Sequence, residues 1–129
     1  MTQVLRGNIV HAPAMGRLDI LEHGCLVLED GVITGLYPDL PAHLEGAEVR
    51  DFGDRIIMQS FADMHLQAPQ SPMLGMGMDL PLLDWLNTYT FPTEARFADL
   101  DYARRVYRRL ATDLITNGTT RVCMFSSLH

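Results

Sequence analysis

Two apolar runs separated by a long amphipathic segment, all from residue 55 onward, constrain the fold more than any other feature. Residues 55–62 carry Ile56, Ile57, Met58 and Phe61, the kind of run found in strands buried on both faces of a parallel sheet. Asp99 or Asp101 can then cap a helix reaching about residue 117, with Ala103, Val106, Tyr107, Leu110, Leu114 and Ile115 on one face. On the other side, Asp101 with Arg105 and Arg109 with Asp113 are i,i+4 pairs that contribute about 0.3 kcal/mol each. The arginine run over residues 104–109 therefore reads as a solvated face. Gly118 ends the helix, and residues 119–126 form the next apolar run.

Strand, crossover helix and parallel strand make a βαβ unit. Two parallel strands leave open edges of unpaired backbone groups, which a lone pair cannot satisfy. The expectation is a fragment of something longer, or a domain completed by association through those edges, as in a homo-oligomer.

The first half is organised differently. Residues 4–12 alternate as a strand does, and residues 24–37 read as a hairpin turning at Asp30-Gly31. Residues 38–46 form a loop and residues 47–52 another short strand. The fold class predicted is α/β with a small β part, divided into residues 1–54 and 55–129.

Composition excludes several functions. A net charge of −6 argues against a nucleic-acid partner. All ten basic residues are arginine, which removes any lysine nucleophile or Schiff base. Cys25 and Cys123 both sit in apolar runs and read as buried free thiols, implying a reducing compartment. Neither a leader pattern nor an apolar run of membrane-spanning length is present, so the expected location is cytoplasmic, with no membrane partner.

Chemistry concentrates after the first apolar run. Residues i and i+2 of a strand share a face, so a His-x-His pair at a strand end can hold one divalent ion. His65 has the first position, and Gln67 the second. A loop rich in Gly, Pro and Met follows, then a short helix over residues 81–88 with Pro81 at its start. Loops after parallel strands are where α/β folds carry function.

The stretch Asp63-Met64-His65-Leu66-Gln67-Ala68-Pro69-Gln70, with Leu82-Leu83-Asp84-Trp85-Leu86 beyond it, resembles the N-terminal part of guanine deaminases in the amidohydrolase superfamily. That resemblance implies a distorted (β/α)8 barrel with a small β-sandwich. Residues 1–54 would supply part of the sandwich, and residues 55–129 barrel strands one and two with the helix between. It also implies a zinc hydrolase that converts guanine and water to xanthine and ammonia, in which a zinc-bound water attacks the amino-bearing carbon while acidic groups move protons.

In the family an Asp-x-His-x-His motif supplies two zinc ligands. His65 takes the first ligand role, and Gln67 stands at the second, where a neutral amide is a poor zinc ligand. Gln67, Ala68, Pro69 and Gln70 correspond to a substrate-contacting stretch, with Gln70 helping to read the edge of guanine or a related purine. Its amide offers both a donor and an acceptor, which suits a lactam base. Ser71 stands where many relatives carry an aromatic residue. The remaining two histidines, the aspartate ligand and the glutamate acid/base fall on later strands, so none of the catalytic residues lies in this chain and it is expected to be inactive alone. The alternatives are a non-catalytic self-associating module derived from the family, or an amidohydrolase with another cyclic substrate. The Pro-Cys-x-x-Cys signature of the unrelated zinc deaminases is absent.

Other residues have plainer readings. Leu82, Leu83, Trp85 and Leu86 are expected in the core, and Met73, Met76 and Met78 packing the loop. His11, His23 and His43 are read as structural or exposed. His129 is given no ligand role.

Overall fold

The computed structural model describes residues 1–129, which divide into two compact units, Met1–Gln59 and Ser60–His129. The first is a four-stranded sheet in the order β3-β2-β1-β4, built from β1 (Thr2–Ala14), β2 (Arg17–Glu29), β3 (Val32–Tyr37) and β4 (Glu48–Met58). The hairpin predicted at Asp30-Gly31 is present. Asp30 and Gly31 both adopt positive φ, 50° and 82°, as a two-residue turn matched to strand twist requires. A second hairpin, not expected from the sequence pattern, joins β1 to β2 around Gly16, whose φ is 75°.

Alternation places Val4, Cys25 and Val27 on one face, where they form a core with Tyr37, Leu44 and Ala47 packed against it. Each valine buried there contributes about 1.5–3 kcal/mol. Asn8 mends a register shift between β1 and its neighbours. Its Oδ1 accepts the His23 backbone N–H at 3.0 Å, and its Nδ2 donates to the Asp54 carbonyl at 3.0 Å.

The structure corrects two sequence expectations. Residues 55–62 are not one strand: Arg55, Ile56, Ile57 and Met58 complete β4, paired in parallel with β1, and a new strand starts at Phe61. The apolar content of the run was right, but it serves two sheets. The units accordingly divide after Gln59 rather than after Asp54, because β4 runs across the earlier boundary.

The second unit pairs β5 (Phe61–Gln67) in parallel with β6 (Thr119–Phe125). Between them lie a 3-10 turn over Ala68–Met73, then α1 (Leu82–Trp85), a π-helical turn over Leu86–Thr90, α2 (Phe91–Ala95) and α3 (Leu100–Thr116). The helix predicted over residues 81–88 therefore continues to residue 95. The long helix forms as read: Asp99 caps it, its carboxylate accepting from the N–H groups of Asp101 at 2.9 Å and Tyr102 at 3.2 Å. Gly118, at φ 84°, ends it. Ala103 and Leu110 bury the inner face, while Ile115 stays exposed.

Asp101 pairs with Arg104 at 3.1 Å, not with Arg105, whose guanidinium instead lies over the Tyr102 ring. Arg109 meets Asp113 at 3.6 Å as expected. Phe97 anchors the unit, buried between Tyr102 and Tyr107 with ring centroids 5.2 and 5.1 Å away. Cys25 is buried, but Cys123 is exposed on β6, because strand alternation turns it to the face of the sheet away from α3, which lies beside Val122 and Met124. Leu82 and Leu83, on α1, are likewise exposed rather than core. No helix is long and apolar enough to cross a membrane.

Candidate functional site

β5 delivers the candidate residues at its end. Asp63 Oδ1 accepts the backbone N–H of His65 at 3.0 Å, pinning the strand two residues before it turns. The His65 ring meets Phe125 of β6 edge-on, with centroids 5.4 Å apart. Strand alternation puts His65 and Gln67 side by side: Gln67 Nε2 lies 3.4 Å from His65 Nε2. For the amide to donate there, the imidazole must carry its proton on Nδ1. Both side chains are exposed.

Directly after Gln67 the chain enters the 3-10 turn. Ala68 and Pro69 are buried, with Pro69 near the start of the turn, where its missing N–H costs nothing. Met73 buries the far end of the turn, while Met76 and Met78 are exposed. Half-buried between these anchors, Gln70 donates from Nε2 to Glu94 Oε1 of α2 at 3.1 Å. Farther along, Trp85 Nε1 donates to the Met76 carbonyl at 2.8 Å. Gly77, at φ 64°, packs so closely on Tyr89 that an added Cβ would sit 2.4 Å from the ring.

Of the residues singled out from sequence, His65 and Gln67 come together, and Ala68, Pro69 and Gln70 follow them in one turn. His11 lies 3.8 Å from Asp19, and His23 lies 3.9 Å from Asp54, both in the first unit. His43 packs against Tyr37. His129 lies beside Arg104, Arg108 and Ser127. Glu94 is the residue that sequence reasoning misses. It lies 24 positions from Gln70, and no periodicity links the two.

The donors present do not fit zinc. No three His, Cys, Asp or Glu side chains converge anywhere in the chain, whereas a zinc site takes at least three such ligands. His65 has an amide beside it, not a second nitrogen base.

No protein-family model matches the chain. Among known proteins it is 33% identical to a guanine deaminase of Dictyostelium discoideum over 98% of its own length and 32% of the relative's. It is 32% identical to the human guanine deaminase over 100% of its length and 30% of the relative's. A crystal structure of guanine deaminase from C. acetobutylicum with bound guanine in the active site superposes with a TM-score of 0.91 at 41% identity, covering the whole chain and 31% of that structure. This chain is a homologue of the guanine deaminases. The E. coli guanine deaminase structure agrees, with a TM-score of 0.83 at 30% identity. The chain thus spans roughly a third of the length of the guanine deaminases it matches. At the coarse level its α/β architecture is that of the guanine deaminase fold.

Proposed function

We propose that this chain is one section of a guanine-deaminase-like hydrolase, carrying part of the substrate contact surface and one candidate ligand position. Ser60–His129 would be the first strand, helix and second strand of a (β/α)8 barrel, and the first unit part of a small β-sandwich. The observation that carries the reading is the succession His65, Gln67 and Gln70, on a strand end and the turn after it, in a chain that superposes along its whole length on a guanine-bound deaminase. Guanine is the substrate proposed for the assembled enzyme. The chain by itself is inactive in this reading, since it lacks a set of ligands for the zinc the family implies. Asp63, the carboxylate bonded to His65, holds its backbone N–H rather than its ring.

The test is complementation. The chain is mixed with a second polypeptide supplying the remainder of the C. acetobutylicum enzyme, and xanthine formation from guanine is followed by absorbance. The expected result is no product from the chain alone and product from the mixture when the chain carries Gln67→His. Turnover by the chain alone would refute its inactivity. No product from the Gln67→His mixture, with both parts folded and associated, would refute its place in such an enzyme.

One observation favours a second reading. The β5–β6 sheet exposes Phe61, Met64, Met124 and Phe125 over its two faces, apolar area suited to association. A self-associating, non-catalytic module predicts an oligomer by sedimentation; a folded monomer at micromolar concentration would remove it.

A further inference from the structure

The hydrogen bond between Gln70 and Glu94 fixes more than the position of a loop. A carboxylate has only acceptor oxygens, so the Gln70 group facing Glu94 must be the NH2. The carbonyl oxygen of Gln70 is thereby turned away from Glu94. A free glutamine can rotate its amide by half a turn at little cost and offer either a donor or an acceptor to a ligand. Gln70 cannot do so without placing its carbonyl oxygen against a carboxylate oxygen. The pair is partly buried, between a turn anchored by Ala68, Pro69 and Met73 and the helix α2. Solvent therefore competes weakly for the bond, and a charge-assisted bond is about twice as strong as a neutral one.

We infer that Glu94 is a positioning residue that locks the Gln70 amide with its carbonyl outward, making position 70 an acceptor that selects purines presenting N1–H in the six-membered ring. This inference rests on the proposed reading of Gln70 as a substrate contact, and deepens it. Guanine presents N1–H where adenine presents a bare N1 acceptor, so a fixed carbonyl favours guanine, while an amide free to flip serves both. A site built to pair one hydrogen-bonding group discriminates against the ligand that leaves that group unpaired.

The test uses the 129-residue chain and its Glu94→Gln variant, which keeps the size of the side chain and its capacity to hydrogen-bond but accepts or donates in either orientation. Two readouts are taken. In 15N-resolved spectra, the Gln70 side-chain amide of the wild type should show two widely separated proton signals, one shifted downfield by the carboxylate, and in Glu94→Gln they should move toward the positions of a free amide. In competition by saturation-transfer NMR with guanine and adenine, the preference for guanine should fall about tenfold in the variant, the factor that corresponds to ~1.4 kcal/mol. A merely structural role for Glu94 would weaken both purines equally and leave the ratio unchanged. Unshifted Gln70 signals in the variant, or an unchanged ratio with shifted signals, would overturn the role of Glu94 while leaving the purine site standing. Binding of neither purine by the wild type would overturn the purine reading of Gln70, and the inference with it.

Discussion

Replacing Gln67 by histidine tests the strand end directly, and the structure supplies the geometry. Two imidazole nitrogens bound to one tetrahedral zinc at about 2.05 Å lie about 3.3 Å apart. His65 Nε2 and Gln67 Nε2 are 3.4 Å apart, so the two side chains already hold nitrogens at the spacing of a chelate. The Gln67 nitrogen is an amide without an available lone pair; an imidazole there has one. Gln67→His is expected to tighten zinc binding at least tenfold over the wild-type chain, or ~1.4 kcal/mol. At a zinc concentration ten times the new dissociation constant, linkage adds about 1.4 kcal/mol of stability, visible as a raised melting temperature. The assay is a zinc titration against a competing chromogenic chelator on three proteins: wild type, Gln67→His, and Gln67→His with His65→Ala. The gain should appear in the second and vanish in the third. Equal affinity in the first two would refute the strand-end geometry. A gain that survives His65→Ala would place the zinc on other histidines.

Three further outcomes follow from the packing. Phe97→Ala empties the space between two tyrosines and should cost about 3–5 kcal/mol, enough to unfold the second unit of a marginal domain; a fully folded variant by circular dichroism would contradict the anchor role. Thiol labelling should modify the exposed Cys123 quickly. Cys25 should react only on unfolding, since burial both shields its thiol and pushes its pKa up. The Arg17 guanidinium, bonded to Asp19 at 2.9 Å through each carboxylate oxygen, holds that carboxyl below the ordinary carboxylate range. Whatever stability the pair provides is therefore present above about pH 4 and lost as pH falls through the lowered folded value. In carboxyl NMR titrations, Arg17→Ala should raise the Asp19 midpoint.

Local chemistry explains what the sequence made legible. Asp99 and Gly118 bracket a segment whose apolar residues recur at helical spacing, and a helix spans Leu100–Thr116. Asp30-Gly31 lies between aliphatic runs, and the hairpin turns there. Failures came where two elements share one pattern. Ile56, Ile57 and Met58 are as apolar as a barrel strand should be, but periodicity does not say which sheet receives a strand, and here the receiver is β1, some 48 positions earlier by the pairing of Asn8 with Ile56. Cys123, Leu82 and Leu83 read as core because they are apolar. They are exposed because burial depends on a facing layer, which no residue of their own segment specifies.

The same division holds at the site. His65 and Gln67 could be placed side by side from the sequence because a strand has a period of two, and that relation needs no tertiary information. The bond from Gln70 to Glu94 joins a 3-10 turn to a helix in a different part of the chain, and only folding brings them together. With Gln70 as the proposed substrate contact, this second kind of contact is the one that sets which group position 70 presents. The identity of Gln70 says that position 70 can donate or accept; Glu94 decides which. If that is right, exchanging the partners as Gln70→Glu with Glu94→Gln restores a hydrogen bond of similar length while placing a carboxylate toward the ligand. Packing and stability should then return to near the wild-type values. A carboxylate is still an acceptor, so guanine should remain preferred over adenine in the exchanged protein, whereas Glu94→Gln alone weakens that preference about tenfold. A swapped protein as indiscriminate as the single variant would show that the preference arises elsewhere than at position 70.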